Sequence, residues 1–183
     1  MNMYTYDDIA FRPMERSDIE AVRIAHNDPT TLLQMGDPTP VSPEQQAEWF
    51  AAMSKRTSNV TFMVCKRESG EPIGVWRLQN VDSINRVCEV GADIFPDFRR
   101  QGYGLKTYRM LLAYLFEHYN IHTVYLRTAE FNSHAQHLYV KLGFRETGRI
   151  VESMFRQGRY WDNLIMCMTV DEYRRIYGGS SSR

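Results

Sequence analysis

The chain has little that would tie it to a membrane, a disulfide framework or a nucleic acid. Of its 183 residues three are cysteine, Cys65, Cys88 and Cys167, far apart and each set among apolar neighbours. An odd count without paired spacing argues against a disulfide scaffold and against a structural zinc site, and all three read as small buried hydrophobes in strands. Lys plus Arg and Asp plus Glu both number 22, so the formal charge is zero. A nucleic-acid binder needs a basic surface, and only a local basic patch around Arg99 remains for that reading. No apolar run approaches the ~20 residues of a membrane span. Met1 to Asp8 is polar and acidic and does not read as a signal peptide, which leaves a cytoplasmic protein as the expectation.

What is present is a good core composition, 43% hydrophobic. That suits one well-filled domain, read as residues 1–177, followed by a flexible tail over 178–183. Ile9 to Pro13 reads as a strand. Ser17 and Glu20 read as a capping box opening a helix that Asn27-Asp28-Pro29 stops. Ser42-Pro43-Glu44-Gln45 opens a second helix, to about Ser54, with Trp49, Phe50 and Met53 on its apolar side. The stretch between, Leu32 to Val41, reads as a mobile loop.

Val60 to Lys66 and Ile73 to Asn80 read as a hairpin. Val87 to Phe95 alternates, with Cys88, Val90, Ala92 and Ile94 on one face and Glu89, Gly91 and Asp93 on the other. A helix follows from about Gly104 to Tyr119, then a strand from Thr123 to Ala129. Asn132 can cap a helix that runs to Leu142 and ends at Gly143. Phe144 to Phe155 and Leu164 to Val170 close the chain as a hairpin around Gly158. The order predicts one α+β domain on a mixed sheet.

The most informative stretch is Phe98-Arg-Arg-Gln-Gly-Tyr-Gly-Leu-Lys106, between a strand and a helix. Glycines at 102 and 104 allow a tight turn and a close approach to a ligand. The amides opening the next helix, with the positive end of its dipole behind them, suit a pyrophosphate, and Arg99, Arg100 and Lys106 add charge. The stretch also reads as a plain turn. It lacks the third glycine of a dinucleotide fingerprint and the Gly-Lys-Ser/Thr of a P-loop.

Together with Asn132-Ser-His-Ala-Gln-His-Leu-Tyr-Val-Lys-Leu-Gly-Phe144, this stretch resembles the GNAT acetyltransferases. The resemblance covers roughly Ile73 to Val170, and Phe155-Arg-Gln-Gly-Arg-Tyr-Trp-Asp162 resembles the branch holding spermidine and ribosomal-protein N-terminal acetyltransferases. It implies a mostly antiparallel central sheet flanked by helices in three αβα layers. It implies acetyl-CoA as cosubstrate and no metal. Amides near Ile94 and Phe95 would hold the pantetheine arm or polarise the thioester. Loop amides over Gln101, Gly102, Tyr103, Gly104, Leu105 and Lys106, with Arg99 and Arg100, would bind the pyrophosphate, and Asn132 would reach the pantetheine. Homodimers are common in this fold, by analogy only.

A primary amine with a pKa of about 10.4 is mostly protonated at pH 7, so attack needs a base or a desolvating site. The leaving thiolate gains from an acid. Tyr139 is the candidate acid, or else a core tyrosine of its helix. Glu89 is the candidate base, or else a solvated carboxylate on a polar strand face. No cysteine falls in the two family blocks, which disfavours an acetyl-cysteine route. His134 and His137 read as solvent-facing.

Asp28, Met35, Asp37, Trp49, Trp76, Tyr160 and Trp161 are the candidate acceptor walls, each tryptophan being equally a core residue. The helical region is not densely acidic, which disfavours a polyamine, and Asn27-Asp28-Pro29 with Ser42 to Phe50 loosely resembles the amino-sugar nucleotide branch. The acceptor is expected to be a small molecule such as an amino sugar. A protein N-terminus, a polyamine and a non-catalytic coenzyme A module are the alternatives.

Overall fold

A computed structural model of the chain describes residues 4–53 and 59–178. Among the described residues it is an α+β fold of eight mostly antiparallel strands and six helices, divided into two compact units. The first comprises residues 1–79 and 91–111, the second residues 80–90 and 112–183. The expected tail at 179–183, the segment Met1–Met3 and the helix end at Ser54 lie outside the described residues. No described helix is long and apolar enough to cross a membrane.

In the first unit β1 (Tyr4–Tyr6) and β2 (Ile9–Pro13) form a hairpin. The box expected at Ser17 sits two residues earlier, on a 3-10 turn over Arg16–Asp18. Glu15 N–H donates to Asp18 Oδ2 at 2.7 Å, and Arg12 grips both Asp18 oxygens at 2.7 and 2.8 Å. Glu20 pairs with Arg23 instead. An inward carboxylate with an arginine in reach outcompetes a serine for this turn; burial alone would raise the buried Asp18 carboxyl, but its bonds from Arg12 and Glu15 N–H hold it below its ordinary range.

Helix α1 (Ile19–Asn27) stops as expected, but Asp28 then caps a short α2 (Pro29–Leu32), accepting from Thr30 N–H at 2.9 Å. Asn27 brackets Val41 with two 2.9 Å bonds, so the far end of the segment read as a loop is tied back to α1. α3 (Pro43–Met53) opens on the expected box: Ser42 N–H donates to Gln45 Oε1 and Gln45 N–H to Ser42 Oγ, at 2.8 and 3.2 Å. Phe50 and Met53 pack on a core of Met14, Met63, Cys65 and Val75, while Trp49 is 39% exposed.

Strand β3 (Val60–Lys66) pairs with β2 and with β4 (Pro72–Asp82). Trp76 is fully buried, stacked on Phe62 at 4.4 Å and edge-on to Phe11, so it is core and no acceptor wall. Strand β5 (Val87–Ile94) leaves the second unit for the first, and its end meets β4 closely. A Cβ on Gly74 would strike Asp93 O and Ile94 Cα. α4 (Tyr103–Ala113) follows a 3-10 turn at Pro96–Phe98 and continues as a π-helical stretch, Tyr114–His118.

In the second unit β6 (Thr123–Ala129) runs parallel to β5 over Val87–Glu89. α5 (Ser133–Leu142) starts and ends where the sequence places it. Asn132 Oδ1 accepts from Ala135 N–H at 3.2 Å, and Gly143 adopts the left-handed conformation, φ 98°. β7 (Arg145–Arg156) and β8 (Arg159–Thr169) form the closing hairpin, with β8 against β6. A final helix, α6 (Val170–Tyr177), was not foreseen, although Thr169 and Glu172 form the box that marks its start.

Candidate active site

In the first unit, residues from α1, α2, β4, β5 and the loop after it enclose a pocket of about 320 Å³, counting its open mouth. Its apolar wall is Val22, Ala25, Met35, Val75, Ile94 and Phe95, and its polar groups are His26, Thr31, Arg77, Asp93 and Arg99. Two guanidiniums therefore face one carboxylate. Arg77 pairs with Asp93 through Nη2 and Oδ2. Arg99, expected at the pyrophosphate, is committed as a strut. Its Nε donates to Ile94 O at 2.9 Å and its Nη1 to Thr30 Oγ1 at 2.6 Å, while Nη2 donates to Thr31 Oγ1. Those bonds fasten α2 to the end of β5 and shape the pocket.

The loop turns at Gly102, as the sequence predicts, but also at Arg100, while Gly104 lies within α4. Arg100 lies at φ 61° and Gly102 at φ 85°, with open space where a Gly102 side chain would stand. Lys106 N–H bonds to Gly102 O at 3.2 Å, so the amides of Tyr103, Gly104 and Leu105 precede the first closed turn of α4. An anionic group fits that cradle. The charges differ from expectation. Lys106 Nζ meets Asp8 at 2.7 Å and Asp7 at 3.0 Å, and the bond from Lys106 holds the Asp8 carboxyl below its ordinary range. Gln101 Nε2 donates to Asp97 O at 2.9 Å. Arg100 is exposed and has no ion pair among the described residues. At the end of β5, Phe95 N–H is taken by Ile73 O at 2.9 Å, so this amide is engaged within the sheet.

In the second unit Glu89 is buried, 6% exposed, and is no solvated carboxylate. Arg127 Nε donates to Oε1 at 2.8 Å, Arg127 Nη2 to Oε2 at 3.1 Å and Asn80 Nδ2 to Oε2 at 2.8 Å. Glu89 pairs with Tyr125 across β5 and β6, which sets Arg127 diagonally opposite it. A strand alternation cannot reveal that neighbour. Tyr139 is buried on α5, its ring edge-on to Phe144 at 6.1 Å. Asn132 spends its Oδ1 on the cap of α5.

The remaining candidates separate. Met35 lines the pocket, Asp28 caps α2, and Asp37 accepts from Thr39 N–H at 2.9 Å. In the second unit Tyr160 is exposed against Phe155, and Trp161 lies under the Arg159 guanidinium at 3.4 Å and edge-on to Phe131. Cys65 and Cys88 are buried and Cys167 half-buried; burial pushes the Cys88 thiol up to about 12, which removes it as a nucleophile at neutral pH. His134 and His137 are exposed. His26, which reaches the pocket, went unremarked in the sequence because a lone histidine late in a helix carries no pattern.

The family model described as the acetyltransferase (GNAT) domain matches residues 8–145. The chain belongs to the GNAT acetyltransferases. This GNAT chain is an acetyl-CoA-dependent N-acetyltransferase, and its fold is the one the resemblance implied. It is 27% identical to the spermidine N(1)-acetyltransferase of Vibrio cholerae, over 90% of this chain and 95% of the relative. It is 24% identical to the Escherichia coli spermidine N(1)-acetyltransferase, over 90% and 88%. The putative ribosomal N-acetyltransferase YdaF of Bacillus subtilis shares 28% over 51% of each chain. Among solved structures, the Vibrio cholerae spermidine N-acetyltransferase in complex with CoA and spermine superposes with a TM-score of 0.84 at 27% identity. It covers 91% of this chain and 98% of that one.

Proposed function

We propose that this acetyltransferase acetylates the primary amine of a small molecule that is neutral or anionic overall, such as an amino sugar, and that the pocket beside β5 receives it. The observation carrying this reading is the pocket's charge: Arg77 and Arg99 against Asp93 alone, with Asp93 already paired. A polyamine brings further ammonium groups and needs carboxylates for them, since an unpaired cation in a half-buried site is costly. An amine whose remaining groups are hydroxyls or a phosphate instead meets the surplus positive charge of two guanidiniums against one carboxylate.

The amine attacks acetyl-CoA directly in a ternary complex. The exposed backbone loop Gln101–Lys106 and the start of α4 take the pyrophosphate, with Arg100 as the cation free to join it. The arm runs along the end of β5, at Ile94 and Phe95. Asn132 keeps its amide nitrogen for the pantetheine while its oxygen caps α5. Tyr139 protonates the leaving thiolate, a role drawn from the family resemblance. Glu89 has three hydrogen bonds already on its two oxygens, which suits it to fixing β5 and leaves little room for the base role expected of it.

A second reading, acetylation of a polyamine, is favoured by the identity with the spermidine acetyltransferases over nine-tenths of the chain. Calorimetric titration with acetyl-CoA, with NADH as control, followed by thiol release over glucosamine 6-phosphate, a Ser-Ala dipeptide and spermidine, separates the two. Turnover with glucosamine 6-phosphate well above spermidine supports the first reading. Preference for spermidine overturns it and establishes the second.

A further inference from the structure

One group in the pocket has no structural task. His26 stands in the last turn of α1, and its Nε2 is buried without a hydrogen bond among the described residues. Native interiors satisfy nearly all buried polar atoms, and an orphaned ring nitrogen on a pocket wall calls for an occupant that supplies its partner. The other polar groups facing the same space are engaged. Arg77 and Asp93 hold each other across β4 and β5, and Arg99 is bonded to Thr30, Thr31 and Ile94 O. On its own helix, Val22 and Ala25 face the pocket as apolar wall. The imidazole therefore stands between an apolar wall and the end of β5, its Nε2 unbonded and closed to solvent until an acceptor opens the pocket beside it.

We propose that His26 is the catalytic base, accepting from Nε2 the proton that the acceptor amine sheds as it attacks. This rests on the pocket being the acceptor site. The tautomer required carries its proton on Nδ1, leaving the Nε2 lone pair inward. The neutral amine forms the N–C bond to the acetyl carbonyl carbon and becomes cationic at nitrogen. That proton passes to Nε2. Collapse of the adduct breaks the C–S bond, the electron pair leaves on sulfur, and the thiolate takes a proton from the acid assigned above. His26 then gives its proton to solvent, and the phenolate left on the acid takes one back from solvent. Amine and thioester become amide and thiol, with every proton placed.

The test compares the native chain with His26→Gln and His26→Ala, using whichever of glucosamine 6-phosphate, Ser-Ala and spermidine the native chain acetylates fastest. Glutamine keeps a polar amide near the Nε2 position but accepts no proton. Both variants are expected to lose about 10²–10³-fold in kcat, a usual range for a deleted base. Calorimetric affinity for acetyl-CoA and thermal midpoint should hold. Their rate should keep climbing as the pH nears the acceptor amine's own pKa, about 8 for an α-amino group and about 10 for an alkyl amine, and added imidazole should restore part of it to His26→Ala. A His26→Gln rate within threefold of native overturns the assignment while leaving the acceptor reading intact. A loss of midpoint or of acetyl-CoA affinity matching the loss of rate overturns it in favour of a structural role. A native chain that binds acetyl-CoA and acetylates none of the three amines refutes the acceptor reading, and the base assignment with it.

Discussion

Replacing Glu89 by glutamine separates a base from a buttress. Oε1 receives Arg127 Nε, and Oε2 receives both Arg127 Nη2 and Asn80 Nδ2. Whichever way the new amide turns, its NH₂ faces a donor. If the NH₂ replaces Oε1, one charge-assisted bond is lost; if it replaces Oε2, two bonds go. A hydrogen bond to a charged group contributes about 1.5–3 kcal/mol, and the donor left facing a donor adds desolvation. Breaking a fully buried pair costs about 3–5 kcal/mol, but the Arg127 side chain is 45% exposed and can turn to water. The expected loss is about 2–4 kcal/mol, or roughly 4–16 °C in midpoint at about 2–4 °C per kcal/mol for a chain of this size. Thermal and urea denaturation, run beside initial rates at a temperature where both proteins are folded, read the two effects apart. The buttress predicts a stability loss with kcat within tenfold of native. Unchanged stability with kcat down a thousandfold would refute it and return the base to Glu89.

Two other consequences are open to direct measurement. Gly74→Ala drives a Cβ into Asp93 O and Ile94 Cα, both backbone, so the end of β5 must move; about 1–3 kcal/mol of stability and a lower acetylation rate are expected by denaturation and thiol release. The hydrogen bond from Arg145, with help from Thr169 N–H, lowers the Glu172 pKa from 4.5 to about 2, so its contribution is complete above pH 4.5 and disappears as the pH falls toward 2. Arg145→Met should therefore lower stability at pH 7 and leave it unchanged below pH 2. Urea midpoints across that range check it, and a cost independent of pH would refute the pairing.

Local chemistry was legible throughout the chain. The Ser42–Gln45 box, the Asn132 cap and the Gly143 stop fix helix ends through bonds spanning a few residues, and each lies where the sequence puts it. β3 and β6 match their expected bounds because alternation and flanking turns are also local. The helix after Thr169 shows that the signal was there and went unread. The box at Ser17 failed because Arg12, on the strand just before the turn, captured Asp18.

The sequence by itself determined the family and its cosubstrate, since both rest on a glycine loop before a helix and on a helix bounded by Asn132 and Gly143, features written in consecutive residues. Only the tertiary structure decided what individual side chains are free to do. Arg99 is bonded by Thr30, Thr31 and Ile94 O, Glu89 by Arg127 on the neighbouring strand, and Trp76 is core. His26 gained its interest the same way, from a wall assembled out of five separate segments. A side chain's role depends on which partners satisfy its polar atoms, and those partners come from residues distant in sequence, set by packing rather than by spacing.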